Sequence, residues 1–215
     1  MIESLLQAIV SGILTGAIYG LVAMGIVIIF RSSGVFNFAH GALILVGAFL
    51  FWTLISLAGL PLWACILITV LVSAAIGVAL EYLALRPLLG QPILASIMMT
   101  LGLSMFFLGI YQVVWGHRGI VSFPKFMPMG HWVVGGITIG QANTWVLITA
   151  IVLFILFTVF FRFTSTGKQV QAICESHVIA QSVGIDVKRV LSLVWVIACI
   201  CAALTGVLVG ATGSV

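Results

Sequence analysis

Thr164 to Arg189 reads TSTGKQVQAICESHVIAQSVGIDVKR, a long polar island between two apolar runs, Trp145 to Phe161 and Val190 to Gly210. Each run approaches the ~20 apolar residues that a helix needs to cross a bilayer. A polar helix-sized handle held between two membrane spans is placed to meet a soluble partner.

Working outward, 63% of the 215 residues are hydrophobic and only 6% are charged, so almost every long segment is a candidate span. In hydrocarbon every backbone N–H and C=O must be satisfied internally, which excludes open sheets. The ~10-residue alternation of a membrane barrel is missing as well. The expected fold is an all-α polytopic transmembrane bundle forming one membrane domain over residues 1–215. Six spans are predicted: Leu5 to Phe30, Gly41 to Ala58, Leu62 to Leu85, Ile93 to Trp115, Trp145 to Phe161 and Val190 to Gly210. The opening residues, Met1-Ile-Glu-Ser4, carry no basic n-region, so the first apolar run reads as a permanent span.

The net charge of +4 is explained by topology. With the N-terminus outside, alternate breaks place Arg31, Arg86, Arg162, Lys168, Lys188 and Arg189 in the cytoplasm, leaving Arg118 and Lys125 outside. A nucleic-acid partner therefore drops out. Cys65, Cys174, Cys199 and Cys201 form no CxxC pair and read as small packing residues, so no metal site is expected.

Gly12, Gly16 and Gly20 recur every four residues in the first span, as do Ala198, Ala202, Gly206 and Gly210 in the last. Such ladders let helix backbones approach closely in lipid, with intramolecular packing as the leading expectation and a subunit interface or pore wall as the alternative. The outer loop, about residues 116–144, contains Pro124 and Pro128. It then presents Val133-Val-Gly-Gly-Ile-Thr-Ile139, two β-rich triplets around a glycine pair, which predicts a short hairpin. Docking of an external protein and simple closure of the loop are equally compatible with it.

Within the polar island, Thr166-Gly-Lys-Gln169 fits a capping box that starts a helix. Gly184 suits a left-handed C′ position, Ile185 the apolar residue after it, and Asp186 the N-cap of the following span. One helix of about four turns, Lys168 to Val183, is expected. It carries few basic residues and mixed faces, which favours a protein partner over lipid headgroups, with a plain amphipathic linker as the alternative.

Asn37 and His40 lie in the break between the first two spans, three residues apart, a spacing that would let them share a helix face, and are expected at a helix contact or at the inner mouth of a path. Neither Ser33 nor Ser104 makes a nucleophile with His40, because no acid is placed to orient the imidazole and no strand-to-helix elbow precedes either serine. Glu81 and Arg86 fall near the inner end of the third span, where snorkelling to the interface is cheap. No acid sits at a span centre, as ion-driven carriers commonly require, and the sequence contains no GxxxxGK[ST] P-loop. Energy coupling through separate soluble subunits follows, with no catalytic residues and no cofactor in this chain.

The chain resembles the permease subunits of branched-chain amino acid ABC importers. The resemblance rests on Gly16-Ala-Ile-Tyr-Gly-Leu-Val-Ala-Met-Gly25, Phe36-Asn-Phe-Ala-His-Gly41, Glu81-Tyr-Leu-Ala-Leu-Arg-Pro87, Thr100-Leu-Gly-Leu-Ser104, Gly167-Lys-Gln-Val-Gln-Ala172 and Val183-Gly-Ile-Asp186, in that order. It implies a bacterial inner-membrane subunit paired with a second homologous permease, above two ATP-binding cassette subunits that bind the ATP, and served by a periplasmic substrate-binding protein. It also implies that the polar island is the coupling helix, with Gly167, Lys168, Ala172, Glu175, Gly184 and Asp186 at the ATPase contact. Members of the family usually continue for further spans, so a chain ending at Val215 reads as truncated relative to them. Two other readings stay open: an importer of urea or short amides, and a stand-alone channel or secondary carrier.

Overall fold

In the computed structural model the structure describes residues 2–88, 91–118, 123, 126, 130–134 and 137–212. The apolar runs are helical, because a helix satisfies its own backbone in lipid. They are α1 (Ile2–Ser33), α2 (His40–Ser56), α3 (Leu62–Ala79), α4 (Ile93–Val114), α5 (Gln141–Phe163) and α8 (Val187–Ala211). Five are long and apolar enough to span a bilayer, α3 being counted with the turns that extend it, while α2 has 17 residues and rises about 26 Å. The all-α polytopic bundle expected from composition is the observed fold.

α8 is the axis around which α1, α2 and α3 pack. Val194, Trp195, Ala198, Cys199, Ala202 and Ala203 on it are almost wholly enclosed. Small residues make that packing possible. A Cβ on Gly47 of α2 would stand 2.5 Å from the Ala203 Cα, and one on Gly77 of α3 would stand 2.8 Å from the Trp195 carbonyl oxygen. Gly206 lies against the Ile44 carbonyl, and Gly210 against the Phe123 ring. The ladder in the last span is thus a packing seam, against α2 at Gly206 and against a loop aromatic at Gly210. The first ladder differs: Gly12, Gly16 and Gly20 are exposed, and a Cβ on any of them would meet nothing within 4 Å. The expected intramolecular packing does not occur at that face. Spacing alone cannot tell a seam from an open stripe, because both need only small residues every fourth position.

Beyond α3 the helix widens into a π turn, Leu80–Leu85, before a 3-10 turn at Arg86–Leu88. At the end remote from this turn, Phe49, Tyr111, Trp115 and Phe123 form an aromatic cluster, and the Trp115 indole donates to Thr53 Oγ1 at 2.8 Å. Arg118 stacks over Trp52 at 5.5 Å beside them. The hairpin is present as β1 (His131–Val134) and β2 (Ile137–Gly140), antiparallel with Val134 opposite Ile137. Its glycine pair, Gly135-Gly136, and Pro124, Lys125 and Pro128 lie outside the described residues.

Candidate functional site

α5 does not run into a loop. It ends at Phe163, and one extended residue, Thr164, separates it from α6 (Ser165–Glu175). The Thr164 hydroxyl donates to the Phe160 carbonyl at 2.6 Å and accepts from the Gly167 amide at 3.0 Å, so one side chain closes the first helix and caps the second. The cap expected at Thr166 therefore lies two residues earlier. Gly167 explains why. A Cβ there would stand 2.5 Å from the Phe161 carbonyl oxygen and 2.6 Å from that of Phe160, so α6 folds directly back onto the end of α5. Gln171 Nε2 donates to the Phe161 carbonyl at 3.0 Å and braces the same corner.

The expected single helix is two. Ser176 adopts φ −161° and ψ 121°, breaks the run, and caps α7 (His177–Ser182) by accepting from the Ile179 amide at 3.3 Å. Gly184 then takes φ +83°, with its amide bonded to Gln181 O and the Ile185 amide to Ala180 O, both at 3.0 Å. This is a Schellman closure, and Gly184 is there because only glycine adopts that backbone without strain. Asp186 caps α8 by accepting from the Arg189 amide at 3.2 Å, and pairs with the Arg189 side chain at 2.9 Å.

Gly167, Val170 and Ile173 of α6 and Ala180 of α7 face the bundle and are buried. Lys168, Gln169, Gln171 and Glu175 face outward, and Ala172 is half-buried. Ile179 and Val183, 66% and 70% exposed, add apolar contact area on a segment outside the spans. Of the six residues expected at a partner contact, Gly167, Gly184 and Asp186 shape the segment, whereas Lys168 and Glu175 lie on its free surface. Ile179 was missed. It follows Ser176 at N3 of α7, and recognising the cap was the signal that would have turned it outward. Beneath α6, a groove of about 580 Å³ runs between α1 and α5, edged by Arg31, Cys174 and Glu175. Burial pushes the Cys174 thiol pKa up, against the pull of Arg31.

Asn37 and His40 are both 1% exposed, and they do not share a helix face. After α1, Gly34 takes φ +70° and its amide bonds Phe30 O at 2.9 Å, turning the chain inward. Asn37 Oδ1 accepts from the Ala39 amide at 3.0 Å, a local turn that leads into α2, and Thr100 Oγ1 of α4 donates to Phe36 O at 3.3 Å. His40 opens α2 and lies on Gly25 of α1, where any Cβ would collide with the ring. It is a helix contact.

Glu81 lies near the end of its span but does not snorkel to solvent. The π turn inserts it into the bundle at 2% exposure, where its Oε2 accepts from Ser192 Oγ of α8. Arg86 stacks over Tyr82 at 5.2 Å. Arg86, Ser33, Gln91 and Leu191 surround one cavity, so the C-terminal ends of α1 and α3 and the N-terminal ends of α4 and α8 gather at the end of the bundle that α6 closes.

A bundle of apolar helices with a polar helical handle at one end defines a multi-pass membrane protein. Residues 8–215 match the family of the branched-chain amino acid transport system permease component, and the chain belongs to that family. It is 29% identical to the high-affinity branched-chain amino acid transport system permease protein LivH of Salmonella typhimurium, covering 95% of this chain and 70% of that one. The corresponding protein BraD of Pseudomonas aeruginosa is 28% identical with the same coverage. A probable LivH of Methanocaldococcus jannaschii is 27% identical, covering 90% of this chain and 60% of that one. No solved structure matches the chain.

Proposed function

We propose that this chain is the inner-membrane permease subunit of an ATP-driven importer of leucine, isoleucine and valine, with its N-terminus outside. The relatives are named for branched-chain amino acid transport, which favours these solutes over urea or short amides. In this reading α6 and α7 are the coupling segment, seated in a cleft of an ATP-binding subunit that holds the nucleotide. A second permease completes the membrane part, and an external binding protein delivers substrate to the hairpin side.

The observation that carries the coupling role is the pair Ile179 and Val183, exposed on a capped segment that is joined to α5 by Thr164 alone and to α8 by Gly184, Ile185 and Asp186. Force on α7 reaches α8, the axis of the bundle, with little slack. Closure of the ATPase pair then shifts the spans between inward and outward openings. Purification in mild detergent tests this reading. ATP-binding subunits should copurify, and the reconstituted complex should take up labelled leucine but not urea. Leucine flux through the lone chain in liposomes would contradict it.

A further inference from the structure

We propose that the cavity between the α6-side ends of α1, α3, α4 and α8 is a subsite for the backbone of a zwitterionic α-amino acid. Glu81 meets the ammonium group, and Arg86 meets the carboxylate. The proposal rests on the importer reading and deepens it. The cavity measures about 170 Å³, room for about five waters or one small solute.

Its polar atoms are incompletely satisfied by the protein. Ser192 holds Glu81 Oε2, whereas the buried Oε1 has no protein partner, and neither does the buried Arg86 Nε. Among the described residues no ion pair joins the two, although both line the cavity. A carboxylate taken out of water demands compensation by charge and hydrogen bonds. An ammonium group brings three donors and the matching charge, and the guanidinium fork is suited to a carboxylate. An α-amino acid carries both groups on one carbon. Leu85, Leu191 and Trp195 give the cavity an apolar wall for a branched side chain. The π turn is what aims Glu81 inward, and such turns recur at functional sites. Urea has no ammonium and would leave the carboxylate unpaired, a mismatch that such sites reject strongly.

The test uses the complete nucleotide-free importer complex carrying Cys174→Ser and Gln91→Cys, since Gln91 lines the cavity and is exposed. The rate of labelling by a cationic thiosulfonate is read with L-leucine, urea, 4-methylpentanoate or nothing. Leucine at about ten times its Kd should slow labelling roughly tenfold. Urea and 4-methylpentanoate, lacking the ammonium, should not, and Glu81→Gln should abolish the protection. Arg86→Lys, which keeps the charge but loses the fork, should raise the Kd about tenfold, leaving roughly twofold protection at the same leucine concentration, and provides a second arm if Glu81→Gln does not assemble. Equal labelling with and without leucine, or undiminished protection in either variant, would overturn the subsite. Leucine uptake by the same complex, reconstituted in vesicles and supplied with ATP, is read in parallel. Uptake without protection removes the subsite alone, whereas absence of uptake and of leucine-stimulated ATP hydrolysis removes the importer reading.

Discussion

At Gly206 the α8 backbone touches the Ile44 carbonyl of α2, and a methyl group there has nowhere to go. Gly206→Ala should cost about 1–3 kcal/mol through overpacking, read as a lower thermal midpoint in detergent. Gly16→Ala meets open space in a helix interior and should raise the isolated chain's midpoint, by about 0.5–1 kcal/mol of helix propensity. The two ladders look alike in the sequence, and only their neighbours distinguish them. The inward turn of Glu81 was missed for a related reason: the π turn changes which residues face inward, and the composition of Leu80–Leu85 does not announce it. Cys174 gives a pH-dependent prediction. A raised thiol pKa means less thiolate at neutral pH, so its alkylation rate should rise with a midpoint above that of a free cysteine peptide. A midpoint at or below the free value would contradict the burial of that side chain.

The α6–α7 segment is held by caps rather than by length, since α7 has only six residues. Thr164→Ala removes a cap that serves two helices and should cost about 1 kcal/mol, seen as faster hydrogen exchange in α6 while α5 stays protected. Gly184→Ala forces a side chain into φ +83° and should cost about 1–2 kcal/mol, visible as protease cleavage between α7 and α8. The span positions, the left-handed turn at Gly184 and the cap at Asp186 were all legible, because apolar length, glycine and aspartate each act locally. The start of α6 was not. Thr164 and Thr166 both carry hydroxyls, and the choice between them is made by the fit of Gly167 against Phe160 and Phe161. The break at Ser176 was hidden in the same way, within a run that otherwise forms helix.

For the whole molecule, the family, the fold and the polar handle converge on one account. Apolar helices pack around α8, and in the function proposed the segment that leads into α8 is the place where an ATP-binding subunit would push. Half of the residues first expected at that contact keep the segment in shape, so their loss would disturb folding and coupling together. Ile179 lies on the free surface and separates the two effects. The most direct measurement is the ratio of leucine imported to ATP hydrolysed by the reconstituted complex carrying Ile179→Arg. The account predicts that the complex still assembles in the membrane and binds ATP, while import per ATP falls about tenfold or more, as loss of a buried apolar anchor at an interface would require. An unchanged ratio in the assembled variant would contradict the coupling role of α6 and α7.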